Sequence, residues 1–481
     1  MILTWIDYVV IAIYLVGITA FGSWFARFQK TTRDYFLTGR SVPWWAICFT
    51  IVATETSTLS FIGVPAGAYA GNMTFLQLAL GYIIGRVLVS LVFIPAYFRG
   101  DLFTSYELLG RRFGPSVKNV AAVIFMVTRT LADGIRLFAT ALVISVVTQV
   151  PVTWTVLILG VAMIVYTVRG GVSAVIWTDV VQMFIYVSGA LIVFLGLLQL
   201  IPGGWAEVRQ TAASHFTVWD FSIDPRTVYT FWAGILGGVA LTLATHGTDQ
   251  FLVQRLLSAR SAKDASTGLV LSGFIVFAQF SLFLVIGAML YTFYQHTPLP
   301  RPLTRNDEVL PLFVISSLPH GISGFIVAAI VAAALSPSIN SLAATTVNDF
   351  YLKYVRPNAD ETTLMRVSRW ATIAWGLAQI AVAIGAEFVT RSVLDAGLSV
   401  LSLAAGPVLG AFLVGVLSRR AGSRGMLTGM AVGIVVLFVA WNSAAVAWTW
   451  FAFIGASVTA GVALIASLVL DPPTAPAAHR T

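Results

Sequence analysis

Glu55 stands in Ile51–Ala70, IVATETSTLSFIGVPAGAYA, an apolar stretch of membrane-spanning length that also holds Thr56, Ser57 and Ser60, two glycines and Pro65. An acid near the middle of a bilayer costs roughly 2.5–3.5 kcal/mol on insertion scales, so it marks a functional candidate by default. Pro65 cannot donate to the Phe61 carbonyl, which predicts a kink there and a second short helical stretch beyond it. Freed carbonyls beside hydroxyls are the hard oxygen ligands that a small cation takes. The plainer alternative is a proline-kinked helix whose serines bond back onto their own turn.

Further groups repeat the combination of polar side chains and weak helix. ATHGTDQFLVQR, residues 244–255, places Thr245, His246, Asp249 and Gln250 around Gly247. No second histidine stands at zinc-ligand spacing there. In AAALSPSINSLAATTVN, residues 332–348, Pro337 removes the hydrogen bond that the Ala333 carbonyl would accept, and Ser336 and Ser338 flank the kink. Small residues that let helices pack closely explain the same stretch without a ligand. RTLADGIR, residues 129–136, sets Arg129, Asp133 and Arg136 on one helical face, at i,i+4 and i,i+3. One acid cannot neutralise two arginines, so this face seeks Glu55, another buried acid or a solute anion. Arg169-Gly170-Gly171 predicts a loop, after which Asp179 opens a helix as its cap or as a cation ligand.

These segments belong to a chain that is 58% hydrophobic and 10% charged, with mean hydropathy +0.89; a soluble domain carries roughly 25% charged residues. The composition predicts an all-α polytopic membrane protein. Apolar runs able to cross about 30 Å of hydrocarbon fall near 5–26, 46–70, 76–98, 117–149, 152–168, 178–201, 229–256, 267–294, 320–352, 366–390, 393–418, 424–443 and 446–470, about 13 in all. Of 28 lysines and arginines, 20 fall in one alternating set of loops and five, Arg391 among them, in the other. Basic loops stay cytoplasmic, which puts the amino terminus outside and the carboxyl terminus inside. The charge of +8 thus records topology and predicts no nucleic-acid partner. The remaining three, Arg86, Arg129 and Arg136, lie within spans among Glu55, Asp133, Asp179 and Asp249. The amino terminus lacks a basic region and cleavage site, so the first helix is expected to be retained. Cys48 is the only cysteine, which excludes an intrachain disulfide and a cysteine metal cluster. Nucleophile-elbow, phosphate-loop and metalloprotease signatures are missing, so no enzyme is predicted.

Several pieces, in order and spacing, resemble the sodium:solute symporter family: DYFLTGR at 34–40, FIG at 61–63, YELLGRRFG at 106–114, RGGVSAVIWTDVVQ at 169–182, DQFLVQR at 249–255, and AAALS through NSLAATTVNDFY at 332–351. The resemblance runs over nearly the whole chain. It implies a LeuT-type five-plus-five inverted repeat, with one repeat over 41–201 and the other over 229–418. One peripheral helix would precede them in 1–30, two would follow in 419–470, and 471–481 would form a cytoplasmic tail. It matches the breaks expected within 51–65 and 244–250 to the paired discontinuous helices of such folds.

By the same resemblance, one sodium would be held by the Ala53 and Thr56 carbonyls, the Ala333 carbonyl and the Ser336 hydroxyl. Pro337 stands where relatives carry a second hydroxyl, and Ser338 replaces it. Asp179 matches the acid of a second sodium site in some members. Solute contacts would fall on Glu55, Ser57, Ser60, Thr245, His246, Asp249 and Gln250, with Glu55 binding an amine or hydroxyls, or carrying a proton. The implied function is secondary active, sodium-coupled symport of a small polar organic solute (sugar, acidic sugar, amino acid or carboxylate) across the cell or inner membrane. Its alternatives are a proton-coupled or uncoupled carrier of the same fold, and a solute sensor without turnover. The solute, the sodium stoichiometry and the oligomeric state stay open.

Overall fold

A computed structural model describes residues 3–28, 30–100, 102–334, 338–386 and 393–471. Ser336, Pro337, Arg391 and the tail beyond Asp471, with Arg480, lie outside the described residues. Among the described residues there is no strand, and the chain is built from helices. The chain begins with α1 (Trp5–Trp24), then α2 (Trp44–Glu55), α3 (Thr58–Ala70), α4 (Phe75–Phe98), α5 (Pro115–Thr148) and α6 (Val152–Leu200). It continues through α7 (Gly238–Gly247), α8 (Gln250–Leu257), α9 (Ala262–His296), α10 (Ile322–Ala334) and α11 (Ile339–Thr345). The last four are α12 (Glu361–Ala386), α13 (Val393–Leu417), α14 (Ser423–Ser443) and α15 (Phe451–Leu470).

Eight of the described helices are long and apolar enough to cross a membrane, and α2 with α3 makes a ninth if that pair, bent by 60°, is one span. Shorter apolar helices cover Val152–Val165, Ala233–Gly247 and Ile322–Ala332. Among the described residues, each of the expected apolar runs is largely helical.

The first break lies at Thr56–Ser57 and not at Pro65. Thr56 leaves helical geometry at φ −79, ψ 86 and Ser57 is extended, whereas Pro65 is carried inside the continuous α3. Beside the proline, α9 packs closely through Gly287, where any Cβ would meet the Pro65 carbonyl. The second break comes where expected, at Thr248–Asp249, and the Asp249 carboxylate restarts the chain as α8 by accepting the Phe251 amide.

The expected loop after Arg169 is not there. Helix α6 runs on after one non-helical residue, Gly171 at φ 57, ψ −157, a conformation open to glycine. Asp179 therefore sits eight residues into the resumed helix and caps nothing. Asp7, which no motif singled out, is fully buried and takes the Gly321 and Gly324 amides at 2.7 and 2.9 Å, fixing α1 to the start of α10.

On the face carrying the basic loops, Val42 and Ala259 form an isolated parallel bridge. The Val42 amide donates to Ser258 O and the Arg260 amide to Val42 O, both at 3.1 Å. This joins the approach to α2 with the exit from α8. Gly81 in α4 packs directly on a π-helical turn, Ala233–Gly237, ahead of α7, where a Cβ would stand 2.1 Å from Gly234 O. Gly81→Ala is thus expected to lower the thermal midpoint of purified protein, with an overpacking cost of about 1–3 kcal/mol. Gly67→Ala, which meets nothing within 4 Å, should not lower the midpoint in the same assay.

Candidate functional site

At the first break the backbone releases two carbonyls. The Ser57 amide turns to Glu55 O at 3.0 Å, where a continuing helix would have used Ala53 O. The Ser60 amide bonds Ser57 O at 2.9 Å, which leaves Thr56 O without the amide four residues on. These are the two carbonyls assigned to a cation from the sequence. The Thr58 hydroxyl donates to Ile330 O at 3.0 Å and accepts from Thr140 at 2.9 Å, so the break is stitched to α10 three residues before Ala333. Ser338, at the start of α11, is fully buried and its hydroxyl accepts from Gln379 at 3.0 Å. The assignments to Ser336 and Pro337 fall outside the described residues.

Between the two breaks lies a cavity of about 860 Å³, counting the part open to solvent. Glu55, Ser57 and Ser60 line one side and Thr245 and His246 the other, with Arg129, Asp133 and Arg136 of α5 between them. The structure thus brings most of the proposed solute residues and the α5 charge cluster to one chamber. Phe75 and Phe280 extend its wall.

Glu55 is ion-paired with the fully buried Arg86 of α4. His246 faces the same pair, its Nε2 lying 3.5 Å from the Arg86 guanidinium and 3.7 Å from the carboxylate. Thr245 donates its hydroxyl to Leu241 O and stands 2.9 Å from His246 Nδ1. With the threonine proton committed, Nδ1 carries the ring hydrogen and Nε2 accepts from Arg86. Arg86 had stood out only as an intramembrane arginine, because a partner 31 residues away on another helix leaves no periodic signal.

The α5 cluster meets Asp249 and not Glu55. Arg129 reaches Asp133 at 3.5 Å and Asp249 at 3.2 Å, and its guanidinium stacks 4.2 Å from the Phe251 ring centre. Arg136 approaches Asp133 at 3.8 Å. Several polar atoms of this group are buried without a hydrogen-bond partner: Arg129 Nε, Arg136 Nη1, both Asp133 oxygens, and Nε and Nη1 of Arg86. Unsatisfied buried donors and acceptors around a chamber suit a wet, polar occupant.

Two of the solute candidates, Asp249 and Gln250, lie outside the lining of this chamber. Gln250 does not face the chamber; its carbonyl accepts the Ser105 amide at 2.7 Å and its NH₂ donates to Phe103 O at 3.1 Å, which locks the 103–105 segment to α8. Asp249 points to Arg129 and lines a smaller cavity next door. Asp179 is fully buried and accepts from Thr50 at 2.6 Å and Arg255 at 3.1 Å. Arg255, which the sequence placed with the loop charges, is therefore its buried partner. Lys118 is likewise buried, 2.8 Å from Asp349.

The sodium:solute symporter family profile matches residues 35–433. The human sodium/iodide cotransporter is 31% identical over 449 residues, covering 89% of this chain and 68% of its own length. The sodium/sialic acid symporter NanT of Aliivibrio fischeri is 31% identical over 443 residues, covering 90% and 87%. A solved Na⁺-coupled sialic acid symporter, described as substrate-bound and outward-open, superposes with a TM-score of 0.90 at 27% identity, covering 97% of this chain and 98% of its own. That superposition and the paired broken helices give the fold as LeuT-type. Matched along most of its length in sequence and in architecture, the chain belongs to the sodium:solute symporter family.

Proposed function

We propose that this protein is a secondary active symporter that moves a small polar organic solute together with sodium by alternating access. The observation that carries the reading is the break at Thr56–Ser57, which frees the Ala53 and Thr56 carbonyls beside α10 while its flanking side chains line the chamber. Cation and solute would share one broken segment, so each favours the arrangement the other needs, and sodium tightens the solute by the factor that the solute tightens sodium. Ala53, Thr56 and Ala333 would supply carbonyls, with hydroxyls from Ser336 and Ser338. Glu55, Ser57, Ser60, Thr245 and His246 would contact the solute.

The unpartnered guanidinium atoms of Arg129 and Arg136 favour a solute bearing an anionic group, for which a planar fork of donors is suited. Sialic acid, which the names of relatives carry, has such a group. Glu55, already charge-matched by Arg86, would meet solute hydroxyls rather than a solute amine. The two five-helix repeats would span 41–201 and 229–418, in the cell membrane, with the amino terminus outside and the carboxyl terminus in the cytoplasm.

Purified protein should be stabilised by sodium chloride over choline chloride at equal ionic strength, by about 2.7 kcal/mol when sodium stands at a hundred times its Kd. An anionic solute should enlarge that shift, and Ser336→Ala should abolish it. A thermal midpoint indifferent to sodium across a panel of sugars, amino acids and carboxylates would sink the reading. Glu55→Gln and Arg86→Gln should each stop uptake and destabilise by about 3–5 kcal/mol, since each leaves a buried charge unmatched. The double variant E55Q/R86Q, with no charge to strand, should lose less stability than the two singles added together; a purely additive cycle would refute the pairing.

A further inference from the structure

Beside the solute chamber lies a second cavity of about 290 Å³, lined by Tyr106, Thr128, Thr248, Asp249 and Ala405 among others. Tyr106 opens the short helix Tyr106–Phe113, whose last turn carries Arg111 and Arg112, so this cavity lies toward the basic-loop face. The chamber extends the other way, to Phe75 at the first turn of α4. Leu401 lines both spaces. Arg129 belongs to the wall of the first and Asp249 to the wall of the second, and the two side chains meet at 3.2 Å.

From this we infer that the Arg129–Asp249 ion pair is the inner gate of the transport path, with the second cavity on its exit side. The inference rests on the chamber being the solute site. Arg129 stands between two acids, Asp133 on its own helix at 3.5 Å and Asp249 across the partition at 3.2 Å. When Asp249 withdraws toward the basic-loop face, the guanidinium keeps Asp133, so Arg129 is not left as a lone buried charge, which would be costly. A solute anion arriving at Arg129 competes with Asp249 for the same donors.

Asp249 is placed to withdraw. It is the first residue after the second break and caps α8, so a rotation of α8 about Thr248 carries the carboxylate off while its bond to the Phe251 amide persists. The 103–105 segment, held by Gln250 and by the Ser105 hydroxyl on Thr248 O at 3.0 Å, must travel with it. Phe251, stacked on Arg129, closes the rest of the partition.

Two reporter cysteines test this in a Cys48→Ala background, Ala132→Cys in the chamber and Ala405→Cys in the second cavity. A membrane-impermeant thiol reagent is applied to sided vesicles from the basic-loop face, with sodium present. The cysteine at 405 should react and the one at 132 should be protected. Asp249→Asn keeps a good helix cap but loses the charge, and should speed labelling at 132 several-fold from that face. The exchange R129D/D249R should restore protection. Equal labelling at 132 with and without Asp249→Asn, or a cysteine at 405 that stays unreactive from that face, would overturn the gate. Labelling needs no turnover, so a failure of sodium-coupled uptake would remove the proposed function and leave this result standing.

Discussion

A carbonyl that leaves its helix in the middle of a bilayer has no water to turn to, and the structure is organised around two places where this happens. At Thr56–Ser57 the amides fold back on Glu55 and Ser57, so the Ala53 and Thr56 carbonyls lose their usual helical donors. At Thr248–Asp249 the loose ends are taken up by side chains: Tyr97 on Gly247 O, Ser105 on Thr248 O, and Asp249 on the Phe251 amide. One break is left hungry and the other is satisfied. That asymmetry is what the proposed division into a ligand-binding break and a hinge rests on.

The charges follow the same constraint. Three arginines in the bundle, at 86, 129 and 136, stand among three acids, at 55, 133 and 249, and Arg255 with Asp179 makes a further matched pair. The interior therefore holds many charges with little net charge, and the remaining polarity lies in how incompletely the pairs use their hydrogen-bonding atoms. Asp133 is the clearest case, close to two guanidinium groups yet with neither oxygen hydrogen-bonded. A polar solute completes such a network rather than competing with a finished one.

Much of this was legible in the sequence, for stated reasons. Apolar runs located the helices because hydrocarbon thickness fixes their length. The second break was readable from Gly247 and Asp249, since glycine followed by a capping acid is local chemistry. The first was located within a range and attributed to the wrong residue: Pro65 advertises a kink, but α3 runs on through it while Thr56 and Ser57 unwind with no proline at all. Partnerships across helices were out of reach. Nothing near Glu55 names Arg86, nothing near Asp179 names Arg255, and Gln250 reads as a solute ligand until the 103–105 segment is seen to occupy both ends of its amide.

The bridge between Val42 and Ala259 bears on how many independent motions the bundle has. By joining the approach to α2 to the exit from α8 through main-chain bonds, it makes the two half-helices on the basic-loop face one kinematic body with a hinge at each break. A displacement that begins at Thr56 is then delivered to Thr248 without passing through side chains. Half-open arrangements, in which only one of the two breaks has flexed, would have to tear that clasp, so the molecule is biased toward moving both or neither.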